Sequence, residues 1–154
     1  MSMQLEGITS RGQLLAFNFS QADVAASQNA VAMNVAEVRD TAASADDVLA
    51  VTGYYIPFDY EIVAVTASAS TAATGGTALF QATIDGTAQT SAAVTIDSGT
   101  AAIAQKAAAK IKRDTVRGAY NTTLGVKLTT PAGWLPTTAD VVCTVYIIAR
   151  INGV

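Results

Sequence analysis

Histidine is absent from this sequence of 154 residues, and Cys143 is its only cysteine. A chain without histidine has no Ser-His-Asp triad and no imidazole general base, and no G-x-S-x-G motif marks a hydrolase nucleophile. A single cysteine forms no disulfide within one chain, and a zinc site built from cysteine and histidine is excluded as well. The composition therefore predicts a protein that is not an enzyme and that uses no metal or cofactor.

Charged residues are also scarce, at 14% of the chain against 51% hydrophobic residues, and the net charge is −3. Soluble domains usually contain about 25% charged residues. A chain of negative net charge is not expected to bind nucleic acid, and no apolar run reaches the roughly 18 residues of a membrane-spanning helix. Because few charges keep copies apart, we expect the protein to hide part of its surface in a homo-oligomer.

Alternation of apolar and polar residues is the main structural signal, and it is clear in Leu14–Ser20, Thr77–Asp85 and Val141–Ile151. The last of these is predicted to be the longest strand. Further strands are predicted at Val48–Ile56, Tyr60–Ser70, Val94–Asp97 and Leu124–Leu128. About eight strands separated by turn residues predict an all-β protein. We expect a single-domain β-sandwich or jelly roll over residues 13–154, preceded by an N-terminal arm at residues 1–12.

Two segments, 21–38 and 101–112, fit both a helix and a strand. In the first, valines recur at helical spacing, but apolar and polar residues also alternate, and we favour a strand over Asn29–Val38. The second is rich in alanine and lysine, which favour a helix, whereas Ala109 and Ile111 would share one face of a strand. Periodicity leaves the second segment open.

Two carboxylates, Asp59 and Glu61, would lie on one face of a strand about 7 Å apart. Such a pair could hold a cation or act as acid and base. The simpler interpretation is a solvated strand start, since no third ligand accompanies them. Cys143 falls in the middle of an apolar strand face, so we expect a buried small hydrophobe rather than a nucleophile.

Aromatic residues supply the first candidates for contact with a partner. Tyr54 and Tyr55 are adjacent in a predicted strand, so one of them must face away from the core. Trp134 lies in a loop between two prolines, where it could anchor a partner or cap the open end of the sandwich. Tyr120 is the remaining aromatic candidate.

The one basic cluster supplies the other candidates, and its members are Lys106, Lys110, Lys112, Arg113 and Arg117. It could meet an acidic partner, form salt bridges between subunits to Asp46, Asp47 or Glu61, or be a solvated face. No aromatic residues interleave it to stack on bases, so nucleic acid is not the expected partner. The contact candidates are thus Tyr54, Tyr55, Tyr120, Trp134, Lys110, Lys112 and Arg113.

Three segments carry a resemblance to a known group of proteins. They are YYIPFDYEIVAVTASASTAATGGTALFQATIDGTAQ at residues 54–89, NTTLGVKLTT at 121–130 and WLPTTADVVCTVYIIAR at 134–150. An aromatic–Pro step, a Gly-Thr strand that ends at I-D-G, a G-V-x-L strand and a final hydrophobic strand follow one another in this order. The pattern resembles small β-sandwich or jelly-roll proteins of tailed bacteriophages, which serve as capsid decoration proteins and head-fibre modules.

The resemblance implies a structural virion protein on the capsid surface, a homotrimer that binds the major capsid protein. The N-terminal arm would be the part that reaches a neighbour or the shell. The alternative function within the same group is a glycan-binding fibre or adhesin module. Its stacking platform would be Trp134, Tyr120 and whichever of Tyr54 and Tyr55 faces outward.

Overall fold

The computed structural model describes residues 12–35, 52–97 and 106–150, which form two antiparallel sheets packed face to face. The strands within these ranges are β1 (Leu14–Gln21), β2 (Val31–Ala32), β3 (Asn34–Val35), β4 (Gly53–Ile56), β5 (Asp59–Ala69), β6 (Thr77–Ile84), β7 (Thr87–Asp97), β8 (Lys106–Lys110), β9 (Arg117–Gly118), β10 (Thr122–Thr129) and β11 (Val141–Arg150). The expected all-β sandwich is confirmed, with more strands than predicted. Along these ranges, no helix has the length and apolar character needed to cross a membrane.

The first sheet, sheet A, has the order β3-β1-β11-β5-β8, and β9 pairs with β5 beyond the end of β8. β1 pairs with β11 along its whole length, from Leu14 opposite Ile148 to Gln21 opposite Val141. The pairing of β11 with β5 shifts by one residue where Val63 has no partner, which is a β-bulge. The first and last strands of the described chain therefore lie side by side in the middle of sheet A.

The second sheet, sheet B, has the order β2-β10-β6-β7, and β4 pairs with the part of β10 that β2 leaves open. β6 and β7 form a hairpin. Its turn residues Asp85 and Gly86 have φ angles of 49° and 74°, the left-handed conformation that a two-residue turn needs to match the strand twist. The side chain of Asp85 holds the turn, because its Oδ1 accepts the backbone N–H of Thr123 at 2.7 Å.

The core lies between the two sheets and is built from every second residue of the long strands. Strand β11 buries Val141, Cys143, Val145, Ile147 and Ala149, and β10 buries Leu124, Val126 and Leu128. These are the apolar faces that the alternation predicted, as are Ala78, Phe80 and Ala82 on β6. The expected strand at Leu14–Ser20 is confirmed as well, and Phe19 on it is fully buried.

The strand favoured over Asn29–Val38 is confirmed as strand rather than helix in its described part, but it is not continuous. Two short strands replace it, because the chain crosses from sheet B, where β2 pairs with β10, to sheet A, where β3 pairs with β1. Met33 is at the crossing point, fully buried, with its N–H bonded to the carbonyl of Val126 at 2.9 Å. Alternation alone did not reveal this change of sheet.

The segment 101–112, for which the sequence allowed both a helix and a strand, forms a strand in its described part. This strand is β8, and it pairs with the edge of β5. Pairing with a neighbouring strand overrides the helix propensity of its alanines and lysines. Within the described residues, β5 and β7 have 11 residues each and β11 has 10, and residue 151, the last of the predicted final strand, lies outside them. Residues 1–11 of the predicted arm, which was expected at residues 1–12, lie outside the described residues.

Candidate functional site

Trp134 is not a surface residue, so its predicted role as a contact residue is wrong. The side chain is fully buried, and its Nε1 donates a hydrogen bond to the carbonyl of Val24 at 3.1 Å. The loop that precedes Trp134 is bound to residues 24–30, for example through Ser27 N–H to the carbonyl of Pro131 at 3.1 Å. Trp134 therefore caps one end of the sandwich, which we call the tryptophan end.

The adjacent tyrosines of β4 point in opposite directions, as predicted. Tyr54 packs edge-on against Phe17 and Phe19, with ring centroids 4.9 and 5.4 Å away, and its hydroxyl donates to the carbonyl of Asn18 at 3.3 Å. Tyr54 thus lies half-buried at the periphery of the core, and Tyr55 is the tyrosine of the pair that faces away from it. The side chain of Tyr55 is 64% exposed.

Tyr55 and Tyr120 lie at the same end of the sandwich. Tyr120 is 62% exposed, and its N–H is bonded to Oδ1 of Asp59 at 2.7 Å. The next residue, Asn121, donates its N–H to the carbonyl of Ile56 at 3.0 Å, which fixes this turn against the end of β4. We call this end, opposite to the tryptophan end, the tyrosine end.

Glu61 lies on the outward side of sheet A but is completely buried. The segment between β8 and β9 covers it and is bonded to β5 on both sides, through Ile111 N–H to Val63 at 2.8 Å and Ile62 N–H to Val116 at 2.9 Å. Oε2 of Glu61 accepts the N–H of Asp114 at 2.8 Å. Oε1 receives no hydrogen bond and is compensated only by its ion pair with Arg113.

Glu61 therefore satisfies its charge within its own chain. The suggested salt bridge between subunits to Glu61 is wrong, and so is the interpretation of Glu61 as part of a solvated strand start. Burial of one carboxylate under a loop favours an internal ion pair, because an unpaired charge away from water is costly. Asp46 and Asp47, the other suggested partners, lie outside the described residues.

Asp114 is the second carboxylate of this region, and two arginines share it. Its Oδ1 accepts a hydrogen bond from Arg117 at 2.6 Å and another from Arg150. The hydrogen bond from Arg117 is the main cause that lowers the pKa of Asp114, and the nearby positive charges act in the same direction. We define the arginine cluster as Arg113, Arg117 and Arg150 with the carboxylates Glu61 and Asp114.

The lysine candidates lie beside the arginine cluster. Lys110 and Lys112 are exposed and form none of the ion pairs found among the described residues. Arg113 is 57% exposed, although its guanidinium is committed to Glu61. Of the predicted contact residues, Tyr55, Tyr120, Lys110, Lys112 and Arg113 are thus exposed in this chain.

Residues 12–35, 52–97 and 106–150 contain no group of three side chains placed to hold a metal ion. Asp59 and Glu61 each accept the backbone N–H of a different loop, at Tyr120 and Asp114, and so act as loop anchors.

Cys143 is buried, and burial raises the pKa of its thiol to about 12. The prediction that it serves as a small core residue is confirmed.

Sequence reasoning did not single out the outward side of sheet A, although the alternation of β11 was the available signal. We define the outer face by the outward side chains of β1, β11 and β5, which are Leu14, Ala16, Asn18, Ser20, Val142, Thr144, Tyr146, Ile148, Ala64, Thr66 and Ser68. None of these is charged, whereas the exposed Lys110 of the neighbouring strand β8 lies on the same side of the sheet, opposite Ala64. Leu14 is 61% and Val142 is 41% exposed. The arginine cluster borders this face at the tyrosine end.

The fold and these surfaces define an all-β sandwich in which three neighbouring strands of sheet A, β1, β11 and β5, share an uncharged stretch of outward side chains. Comparison of the sequence with protein-family models and with curated proteins finds no match. The function is therefore argued from the surface features described above.

Proposed function

We propose that the protein is a structural, non-enzymatic subunit of a tailed-bacteriophage particle, a capsid decoration protein that binds copies of itself and the major capsid shell. One observation carries the proposal. The outer face spans β1, β11 and β5 without a charged side chain from Leu14 to Ser20, from Val142 to Ile148 and from Ala64 to Ser68, and it exposes Leu14 and Val142. Antiparallel sheets that face water usually carry polar and charged residues on that side, and exposed apolar patches mark interaction surfaces.

The tyrosine end is the part that we assign to the shell. Tyr55 and Tyr120 are exposed there, and tyrosine is enriched at protein interfaces because its ring buries area while its hydroxyl keeps a hydrogen bond. Residue 12 also lies at this end, since Ala149 N–H is bonded to the carbonyl of the adjacent Gln13 at 2.9 Å. The predicted arm therefore joins the sandwich on the side that would face the shell.

Binding in this proposal stabilises the shell by mass action. A subunit that binds only the assembled shell lowers the free energy of that shell relative to the dissociated capsid proteins, and no catalytic group is needed. Repetition of one contact over many symmetric positions gives a large total from modest single affinities. Self-association of the subunit adds to the effect because each oligomer engages more than one site.

The glycan-binding alternative is weakened because one residue of its stacking platform is not at the surface. Its stacking platform included Trp134, and that side chain is fully buried at the tryptophan end. Of the platform residues, Tyr55 and Tyr120 remain exposed. We therefore propose only the decoration role.

The test compares Val142→Lys with Val31→Lys, a matched control. Val142 lies on the outer face and is 41% exposed, whereas Val31 lies on β2 of sheet B and is 40% exposed. Native mass spectrometry would give the oligomeric state, and co-sedimentation would give uptake onto phage shells that lack the protein. We expect wild type and Val31→Lys to self-associate and to bind shells, and Val142→Lys to lose self-association at micromolar concentration. A strictly monomeric wild type that shells do not take up would refute the proposal.

A further inference from the structure

Strand β1 of sheet A is paired on one side only over most of its length. It pairs with β11 along its whole length, but on its other side it pairs with β3 only at Phe19 and Ser20. Over Leu14–Asn18, no described strand lies beside that second side, and we call this stretch the open edge. It begins at the tyrosine end, because the preceding residue Gln13 is bonded to Ala149 near the end of β11.

The pairing with β11 fixes which backbone groups point to the open edge. In an antiparallel pair, hydrogen-bonded and non-hydrogen-bonded residues alternate along each strand. The N–H of Ala149 is bonded to the carbonyl of Gln13, so every second residue from Gln13 onwards turns its backbone to β11. The residues between them, Leu14, Ala16 and Asn18, therefore turn their N–H and C=O groups to the open edge.

Most of these groups have no partner among the described residues. The carbonyl of Asn18 accepts the hydroxyl of Tyr54 at 3.3 Å. Within the described ranges, no hydrogen bond reaches both backbone groups of Leu14 and Ala16 or the N–H of Asn18 from the side of the open edge. A row of such unpaired groups on a strand is a template for a further strand.

The open edge also lacks the features that usually protect a sheet edge, which are charged side chains, proline, bulges and short strands. Leu14–Asn18 is uncharged, and its pairing with β11 runs without a bulge. Elsewhere in the described part of the chain, edge strand β8 carries the exposed Lys110, and the pairing of β7 is interrupted by a bulge. Strands β2, β3, β4 and β9 have at most four residues.

Apolar side chains line the open edge on both sides of the sheet. Leu14 is 61% exposed on the outward side. On the inward side, Leu15 and Phe17 are only half-buried, and Tyr54 packs against Phe17. A strand added at this edge would place every second side chain beside Leu15 and Phe17 and would extend the core.

We propose that the open edge takes an extended strand of the major capsid protein of the shell as a further strand of sheet A. The strand would carry apolar side chains at alternate positions, towards Leu15 and Phe17. This inference rests on the proposed function and specifies its contact with the shell. The open edge is continuous with the tyrosine end, which faces the shell in that proposal, whereas contact between copies is assigned to the outer face. The occupant is therefore a strand of the shell rather than a second copy.

The test removes one backbone donor from the open edge. The N–H of Ala16 points away from β11, so Ala16→Pro deletes it without breaking a hydrogen bond between β1 and β11, and proline is tolerated at such edge positions. Co-sedimentation with shells that lack the protein should give a dissociation constant at least about tenfold higher than that of wild type. Native mass spectrometry should show unchanged self-association.

Thr95 on β7 supplies the matched control. It pairs with Leu79, which turns its backbone to β10, because the N–H of Asp85 is bonded to the carbonyl of Thr123 and this direction repeats at every second residue of β6. The N–H of Thr95 therefore also points away from its neighbouring strand, but in sheet B. Thr95→Pro should leave shell uptake unchanged, and circular dichroism melting should show that both proline variants are folded.

Two further measurements do not depend on proline. A backbone ester in which lactic acid replaces Ala16 removes the same N–H, keeps the side chain and should weaken uptake in the same way. Hydrogen exchange should show that the amides of Leu14 and Ala16 exchange fast in the protein without shells and become protected on shells.

The inference is overturned if Ala16→Pro and the ester are taken up as well as Thr95→Pro. It is also overturned if the amides of Leu14 and Ala16 are already protected without shells, because another segment of the chain or a second copy then covers the edge. Either result leaves the decoration role standing as long as shells take up wild type. A wild type that shells do not take up refutes the decoration role itself, and this contact with it.

Discussion

The ion pair between Glu61 and Arg113 predicts an asymmetry between two substitutions. The Glu61 side chain is 0% exposed and that of Arg113 is 57% exposed. Arg113→Met leaves a buried carboxylate whose hydrogen bond comes from Asp114 N–H and whose Oε1 has no donor. Breaking a buried pair in this way costs about 3–5 kcal/mol of unfolding free energy, and we expect about 3 kcal/mol here because one hydrogen bond remains.

Glu61→Gln removes the other partner and should cost less. The amide still accepts the N–H of Asp114, and Arg113 is left in contact with water, where its charge needs no partner. We expect the free energy of unfolding to fall by about 1 kcal/mol, which is the net contribution of an ordinary hydrogen bond. In the double variant, the buried charge is gone, so it should be more stable than Arg113→Met alone by about 2 kcal/mol.

Urea unfolding at pH 7, followed by the fluorescence of Trp134, measures these differences at one fixed protein concentration. Lys112→Met is the matched control, since it removes an exposed cation that forms no ion pair within the described residues, and it should change stability by less than about 0.5 kcal/mol. The reasoning is refuted if Glu61→Gln costs as much as Arg113→Met, or if the two costs add in the double variant.

Two further predictions concern the core. Trp134→Phe removes the indole donor to the carbonyl of Val24 and leaves a void at the tryptophan end, so it should cost about 2–4 kcal/mol by urea unfolding monitored by circular dichroism; a cost below about 1 kcal/mol would contradict the capping role. The pKa of the Cys143 thiol rises from 9.0 to about 12 on folding because burial disfavours the thiolate. Above pH 9 the unfolded chain loses this proton while the folded chain keeps it, so the free energy of unfolding falls by about 1.4 kcal/mol per pH unit as the pH rises towards 12, and is unaffected by this group below pH 9. Cys143→Ala should show a shallower loss of stability than wild type between pH 9 and 10.5, and equal slopes would contradict this.

The strands with clear alternation were predictable from the sequence. Leu14–Ser20, Thr77–Asp85 and Val141–Ile151 each matched an observed strand to within a residue or two, with the expected face in the core. The Asp85-Gly86 turn and the burial of Cys143 followed from equally local rules. In all of these, the side chains of one short segment carry the signal.

The errors came from contacts between distant segments. The helix propensity of the alanines and lysines in β8 yields to pairing with β5, and the strand predicted over Asn29–Val38 divides because its two halves pair with different sheets. Trp134 was a contact candidate because it lies in a loop between two prolines, but a hydrogen bond to Val24, 110 residues away in the sequence, holds it inside. Glu61 was expected in solvent because nothing nearby in the sequence shows the segment that covers it.

The sequence by itself determined the class of fold, the apolar face of each long strand and the scarcity of charge. These properties depend on composition and on a side-chain period of two, which each segment carries alone. Only the tertiary structure decided which strands lie together, and hence that β1, β11 and β5 join their outward sides into one face, which Lys110 of β8 and the arginine cluster border. Strand order is set by the pairing of segments far apart in the chain, and no local pattern specifies it.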